Sequence, residues 1–185
     1  MKKHLLPLIA CFMMLWLPLV SWATITPSKP ANGDGSKSNP YQISTAAELY
    51  WFAALVNGTL TDGTAQNKGA CAKLMEDITV NFGVLKADGT VNSDKAGSFT
   101  AWVPIGYNEV ISQPVVYTGF FEGNGKTISG LYFEDADQYY VGLFGISSGT
   151  IQRVGIVDSY FHADRYLGSI CGYNQGYITH CYGKS

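Results

Sequence analysis

The sequence predicts an all-β fold, a parallel β-helix (solenoid) in which short strands wind into stacked coils. The main observation is an internal repeat. One shift places residues 119–121 (Gly-Phe-Phe) on residues 142–144 (Gly-Leu-Phe) and Ile128 on Ile151. A second, slightly longer shift places Ile151 on Ile178. A unit of roughly 25 residues cannot bury an apolar face alone, so three units in a row indicate a solenoid.

A second observation is that the alternation of apolar residues breaks once in each unit. Ile128 and Leu131 are an odd number of positions apart, and one strand cannot place both side chains on the same face. A corner between two short strands resolves this, and Gly130 permits one in the first unit. Stacked coils would then form three interior columns, which are Phe121/Phe144/Cys171, Ile128/Ile151/Ile178 and Leu131/Val154/Cys181. An antiparallel sandwich, the alternative, would need two-residue hairpin turns, which the equivalent glycines and isoleucines do not favour.

Residues 1–23 predict a secretory signal peptide. A basic start of residues 1–4 precedes an almost wholly apolar run of residues 5–20, and Ser21 and Ala23 are small residues before a cleavage site. The run is short and contains two prolines, which favours cleavage over a membrane anchor. Cys11 ends a segment similar to a bacterial lipobox, but the apolar run continues past it, which favours a cleaved signal over a lipoprotein.

The remaining chain has about 160 residues, enough for one domain. Loss of two lysines with the signal peptide changes the net charge from −2 to −4. A mildly acidic chain without a basic run argues against nucleic acid as a partner and gives no electrostatic reason to bind anionic lipid. The three remaining cysteines, an odd number, argue against a disulfide scaffold. Cys171 and Cys181 occupy apolar repeat positions, which favours free thiols in the coil interior, with a bridge between them as the alternative.

The chain divides into four predicted segments. They are the signal peptide (1–23), a linker rich in Pro, Gly, Ser and Asn (24–40), an N-terminal cap with the first strands (41–115) and the coils (116–185). The chain stops just after a predicted strand, so we expect the last coil to be incomplete.

The cap contains the clearest helix signal. Thr45 as N-cap and Glu48 at the third helical position form a capping box, and Leu49, Phe52 and Val56 recur at helical spacing, so we predict a helix over residues 46–56. Short strands are predicted at residues 40–43, 73–80 and 102–106.

Several motifs resemble the GLUG repeats of bacterial surface proteins. Residues 142–151 contain Gly-Leu-Phe-Gly and then Gly-Thr-Ile, and residues 172–182 lead from Gly through Asn174 and Gly176 to Ile178 and Cys181. The segments at residues 39–49, 102–106 and 119–131 are similar to the upstream parts of such domains, so the resemblance covers nearly the whole mature chain. One departure is residues 169–172, which read Ser-Ile-Cys-Gly.

The resemblance implies a right-handed parallel β-helix with an N-terminal helix-containing cap, on a secreted or cell-surface bacterial protein. Such repeats are adhesin-like and are similar to repeat regions of immunoglobulin A-cleaving metallopeptidases. The abundance of such proteins in the Bacteroidetes implies a source in that group. No catalytic residue of the family maps onto this chain, because the repeat is a scaffold.

The residues themselves give no strong catalytic signal. A metallopeptidase needs His-Glu-x-x-His or a similar set, and neither His162 nor His180 has such neighbours, so we predict no metal, no cofactor and no catalytic residue. β-Helices also carry polysaccharide lyases and hydrolases, for which paired carboxylates could act as acid and base. The candidates for that alternative lie near predicted loops, where aspartate is also common in turns: Asp135, Asp137, Asp158, Asp164 and Arg165.

Tyrosine provides the best candidates for ligand contact. Outward tyrosines can stack on sugar rings or anchor a protein contact, although tyrosine also suits the outer face of a strand. The first choice is Tyr132, Tyr139, Tyr140, Tyr160 and Tyr166. The sequence therefore predicts a secreted or cell-surface, adhesin-like interaction module without catalytic activity. Its partner would be a host or bacterial surface protein or a glycan, with no membrane insertion after signal cleavage. The alternatives are a carbohydrate-active β-helix enzyme and a structural spacer from a larger surface protein.

Overall fold

The structure of the chain is a computed structural model that describes residues 25–108, 110 and 112–184. The predicted signal peptide and the lipobox-like Cys11 lie outside the described residues. In the described part, the fold is mostly β-sheet with one α-helix, α1 (Ala46–Asn57), and a 3-10 helix at Ser93–Ser98. The strands are β1 (Tyr41–Ile43), β2 (Ala72–Leu74), β3 (Ile78–Thr79), β4 (Phe120–Ser129), β5 (Tyr132–Glu134), β6 (Tyr139–Val141), β7 (Phe144–Ser147), β8 (Thr150–Val157), β9 (Tyr160–His162), β10 (Arg165–Leu167), β11 (Cys171–Asn174), β12 (Tyr177–Thr179) and β13 (Tyr182–Lys184).

Helix α1 begins and ends as the sequence predicts, to within one residue. The Thr45 hydroxyl accepts a hydrogen bond from the Glu48 amide at 3.2 Å, and the Glu48 carboxylate accepts one from the Thr45 amide at 3.0 Å. These two bonds satisfy backbone donors that the first helical turn leaves free. The helix stops at Gly58, which has a φ of +75° and donates its N–H to the Ala54 carbonyl.

The described strands pair in parallel. Five of them form the central path of a seven-stranded sheet in the order β1-β2-β4-β8-β12, with β3 paired to β4 and β13 paired to β8. Three two-stranded sheets join β5 to β9, β6 to β10 and β7 to β11. The chain therefore runs through β4, β5, β6 and β7, and then lays β8, β9, β10 and β11 beside them in the same order. We call each such run of strands a pass.

The second predicted repeat shift is confirmed, and the first is wrong. Phe144 pairs with Cys171 and Ile151 pairs with Ile178, as the second shift requires. Phe121, however, pairs with Ile151, and Ile128 pairs with Ile156. The columns predicted for Phe121 with Phe144 and for Ile128 with Ile151 therefore do not exist. The similar Gly-x-Phe segments at residues 119–121 and 142–144 lie in a single pass, because a full pass at this point runs from Phe121 to Ile151.

The column predicted for Leu131 with Val154 is wrong for the same reason. Tyr132 pairs with Tyr160, so β5, the strand that follows Leu131, lies beside β9. Val154 instead pairs with Lys126 of β4. The three errors share one cause, which is the first repeat shift.

Residues with left-handed backbone lie where the sequence predicts corners. Gly130 has a φ of +74° between Ile128 and Leu131, both of which are fully buried. In the later units Arg153 (φ +52°) and His180 (φ +54°) occupy the breaks that the sequence predicts there. Each corner lets apolar side chains an odd number of positions apart face the same interior.

Helix α1 packs against the interior of the stacked strands. Phe52 is fully buried and its ring lies 6.1 Å from that of Phe121 and 6.2 Å from that of Tyr117. The Phe121 ring in turn meets that of Phe144 at 5.2 Å in a T-shaped arrangement. The helix thus extends the same apolar cluster that the stacked strands enclose. Burial of aromatic rings of this size supplies a large part of the apolar free energy of folding.

Two glycines with the same backbone angle give a matched test of the corner at Gly130. Both Gly130 and Gly125 have φ +74°, but a Cβ on Gly130 would lie 1.9 Å from the Asn81 carbonyl oxygen, whereas one on Gly125 would meet nothing within 4 Å. Gly125→Ala should cost about 1–2 kcal/mol from backbone strain alone. Gly130→Ala should cost at least about 2 kcal/mol more, because the backbone of residue 81 must move. Urea unfolding of both variants measures the difference, and equal losses would contradict this packing.

Candidate functional site

The principal surface feature is a cluster of tyrosines that β6 and β10 bring together. Tyr139 pairs with Arg165, which places Tyr140 beside Tyr166. The rings of Tyr140 and Tyr166 are stacked, with centroids 4.8 Å apart and planes at 14°. Tyr173 on β11 leans against both rings, at 5.9 and 5.8 Å. We call Tyr139, Tyr140, Tyr166 and Tyr173 the tyrosine patch.

The two stacked tyrosines have a strained backbone. Tyr140 has a φ of +62° and Tyr166 a φ of +58°. Left-handed backbone costs an L-residue with a bulky side chain about 1–2 kcal/mol, and glycine, asparagine or aspartate adopt it at lower cost. Some other corners use such residues, namely Asn124, Gly125 and Gly130, whereas Arg153 and His180 have left-handed backbone as the two tyrosines do. The ring stack contributes about 0.5–1.5 kcal/mol beyond the burial of the rings, which is similar in size to the backbone strain.

Polar groups border the patch. The Arg165 guanidinium lies 4.9 Å from the centre of the Tyr139 ring, and its Nε donates to Asp164 Oδ2 at 2.9 Å. This hydrogen bond raises the pKa of Arg165 further above its ordinary value, so the group stays charged. Beside Tyr139 in the chain, Gln138 has a buried Oε1 that accepts no hydrogen bond from the described residues. A buried acceptor of this kind can be satisfied by a donor from water or a ligand.

The other two predicted contact tyrosines form a separate pair. Tyr132 and Tyr160 lie opposite each other on β5 and β9, with ring centroids 5.7 Å apart and planes at 22°. The Tyr132 hydroxyl donates to the Glu134 carboxylate. Burial, together with that carboxylate, raises the pKa of Tyr132 to about 12, and burial also raises the pKa of Tyr160. Tyr132 is only 9% exposed, so Tyr160 offers the more accessible ring of the two.

The structure thus gathers three of the five predicted tyrosines in one patch and adds Tyr173. The repeat shift that pairs Phe144 with Cys171 also pairs Tyr173 with Ile146. The sequence therefore reveals the strand partner of Tyr173. The contact of Tyr173 with Tyr140 crosses a corner, which no repeat spacing shows. Ligand contact by any of these residues stays a prediction.

Three of the four aspartates considered for acid–base chemistry have carboxylates that accept hydrogen bonds from the protein. Asp135 accepts a hydrogen bond from the Asp137 amide at 3.0 Å, as in a turn. Asp158 accepts one from the Leu85 amide at 3.0 Å, and Asp164 bonds to Arg165. Among the described residues, no group of three or more His, Cys, Asp and Glu side chains could hold a metal ion. The absence of catalysis and of cofactors stays a prediction.

Cys171 and Cys181 are free thiols, half-buried against the core cluster, as the interior interpretation expects. Burial raises the pKa of Cys171 to about 11, which makes its thiolate scarce near neutral pH.

A buried carboxylate that the sequence analysis did not single out, that of Glu122, accepts several hydrogen bonds. Glu122 is 6% exposed and accepts hydrogen bonds from the Asn124 amide at 2.6 Å, Arg153 Nε at 3.0 Å and Gln152 Nε2 at 2.5 Å. Burial raises its pKa, but these bonds and the charge of Arg153 lower it by more, so the pKa lies below the ordinary value of 4.5. Through these bonds Glu122 joins the corner at Asn124 to the corner at Arg153 in the neighbouring pass, so its role is structural.

Comparison with known proteins gives limited evidence of ancestry. No protein-family model matches the chain. The chain is 31% identical over 153 residues to a protein of Evansella cellulosilytica that is provisionally named a Gly-rich membrane protein. The match covers 80% of this chain but only 15% of that relative. The resemblance to GLUG repeats therefore stays a prediction.

One solved structure is similar in shape. It is a Bacteroides ovatus protein provisionally named an immunoglobulin A1 protease, with a TM-score of 0.49 and 19% identity, over 83% of this chain and 40% of that one. A likeness at this level supports no inference about activity. In the described residues, no helix has the length and apolar character needed to cross a membrane.

The role of Glu122 predicts a pH dependence of stability. Its lowered pKa means that its contribution is complete above the ordinary pKa of 4.5 and is lost as the pH falls through the folded-state pKa. Glu122→Gln should therefore lower the free energy of unfolding by about 1–3 kcal/mol at pH 7, and by less at pH 3. Urea unfolding of both proteins at the two pH values measures this. An equal gap at both would show that the charge of Glu122 contributes nothing.

Proposed function

We propose that the chain is a non-catalytic, glycan-binding module of a bacterial surface protein, with the tyrosine patch as its contact surface. The scaffold would be a right-handed parallel β-helix that consists of a cap (residues 41–115) and coils (residues 116–185), after a signal peptide and a linker. Parallel pairing of β4 to β7 with β8 to β11, in the same order, supports the coil arrangement. The right hand follows from the strong preference of parallel crossover connections.

The observation that carries the function is the pair of stacked tyrosines with left-handed backbone. Strain of this kind persists where the surrounding structure enforces it, and it is concentrated at binding and active sites. Tyr166 and Tyr173 nevertheless remain 47% and 41% exposed, so the rings do not serve only to fill the core. Rigid aromatic rings bordered by hydroxyl, amide and guanidinium groups suit a ligand with an apolar face and a hydroxylated rim, which describes a pyranose sugar.

The size of the patch favours a sugar over a protein as its ligand. A tyrosine side chain that is about half exposed offers roughly 100 Å², so four such rings offer at most about 400 Å². A stable protein interface takes about 800 Å² from each partner. The patch therefore matches a few sugar units better than a protein surface. An exposed site of this kind on a secreted or cell-surface protein needs no membrane insertion of the mature chain.

A matched pair of variants tests this function. Tyr166→Asn removes a patch ring and relieves backbone strain while it loses the stack, so its stability should change by less than about 1 kcal/mol. Tyr177→Asn removes a tyrosine that is 75% exposed and lies outside the patch. On an array of glycans and host surface proteins, residues 24–185 should bind a set of glycans. Tyr166→Asn should reduce that binding at least about tenfold, whereas Tyr177→Asn should not.

Three results would contradict the proposal. Equal binding by the wild type and Tyr166→Asn would place the site elsewhere. Binding of proteins alone would replace the glycan with a protein partner. No binding by a folded wild type would favour a spacer.

A further inference from the structure

A groove of about 400 Å³ lies next to the tyrosine patch and is not part of it. Its lining includes Leu85, Gly89, Tyr160, Phe161, Leu167 and Ser169. One side is formed by β9 and the residues that follow β10, and the other side is formed by a loop at residues 83–92. Its volume falls in the range typical of small-molecule sites.

The loop that forms the outer wall is an insertion in the repeat. The stretch of chain from Ala72 to its strand partner Phe121 is much longer than the stretch from Phe121 to its own partner Ile151. The extra residues include this loop, which Leu85 and Val91 close through an antiparallel bridge. Loops that are added to a regular scaffold are frequent carriers of function.

The loop is fixed to the coil at the groove. The Leu85 amide donates to Asp158 Oδ1 at 3.0 Å, and Asp158 occupies the corner between β8 and β9 with a φ of +44°. On the loop side, the Asn92 side-chain amide donates to the Gly83 carbonyl at 3.2 Å. Asp158 therefore sets the distance between the two walls.

We propose that the groove holds the continuation of the bound glycan, as a subsite for a neutral, extended oligosaccharide; this rests on the function proposed above. The first reason is continuity. Tyr166 of the patch and Leu167 of the groove are neighbours on β10, and Leu167 is 51% exposed. Leu167 is in register with the buried Val141, so it faces away from the patch, but among the described strands β10 pairs only with β6. A ligand that stacks on the patch can therefore pass over the open edge of β10 to Leu167 and the groove.

The second reason is the chemistry of the lining. None of the described residues that line the groove is charged, which suits a neutral chain better than an acidic one. Tyr160 and Leu167 provide apolar contact for a sugar ring, and Ser169 provides a hydroxyl. The Ser159 hydroxyl is already engaged, because it donates to the Val157 carbonyl and accepts from the Leu131 amide. Ser169 and the Tyr160 hydroxyl are therefore the side-chain groups of this lining that are best placed to bond with sugar hydroxyls.

The test is the dependence of affinity on chain length. Isothermal titration calorimetry with β-1,4-glucose, β-1,4-xylose and α-1,4-glucose oligomers of two to six units gives affinities for the intact chain from residue 24. In the series that binds, the affinity should rise at least about tenfold from dimer to hexamer as the groove fills. Leu167→Ser should abolish most of that rise and leave dimer binding unchanged. Val103→Ser, which alters an exposed apolar side chain outside the groove, should change neither.

A second variant tests the wall. Asp158→Gly removes the acceptor for the Leu85 amide while it keeps a residue suited to positive φ. It should also reduce hexamer affinity and spare dimer binding. Equal affinity for all lengths, or full hexamer binding by both variants, would overturn the groove subsite while the patch stands. If no oligomer binds the folded wild type, the subsite for a neutral oligosaccharide fails, whereas the glycan function fails only if the glycan array also shows no binding.

Discussion

The rest of the structure depends on the parallel register of successive passes. Phe121, Ile151 and Ile178 stack in one ladder, and this register keeps their side chains on the interior face. A slip of one residue would turn every one of them outward. The close approach of passes also needs glycine at one point of each: a Cβ on Gly149 would lie 2.3 Å from the Gly119 carbonyl oxygen, and one on Gly176 would lie 2.0 Å from that of Gly149. The stacked passes form the apolar surface against which helix α1 packs.

The same register creates the candidate site. Corners recur at equivalent points of successive passes, so side chains at corners stack as strand residues do. At one corner this stacking stabilises the fold, because the ion pair between Glu122 and Arg153 joins two passes. The corner at Tyr140 and Tyr166 is different, because stacked aromatic rings stand where glycine or asparagine would relieve strain. Under the proposed function, ligand binding accounts for tyrosine at these two positions in spite of the backbone strain.

Much of this arrangement can be read from the sequence. The capping box of α1, the corner at Gly130 and the ladder that pairs Phe144 with Cys171 follow from local patterns and repeat spacing. The pairing of Phe121 with Ile151 does not, because two similar Gly-x-Phe segments within one pass imitate a shorter repeat. The strand predicted at residues 102–106 is reduced to an isolated bridge at Ile105. Other backbone groups of this segment form hydrogen bonds with the side chain of Asn57 in α1 instead. The insertion loop and the groove depend on a contact between residues 85 and 158, which no local pattern encodes.

The register is tested most directly by cross-linking engineered cysteines. Paired residues of adjacent parallel strands lie about 4.8 Å apart, within the range that a disulfide can span. In a background with Cys71, Cys171 and Cys181 replaced by alanine, Phe120→Cys/Thr150→Cys should form a disulfide under mild oxidation, because these residues are partners in the observed ladder. Thr127→Cys/Thr150→Cys, which the register predicted from the first repeat shift would pair, should remain reduced. A cross-link in the second protein and none in the first would contradict the stacking described for this chain.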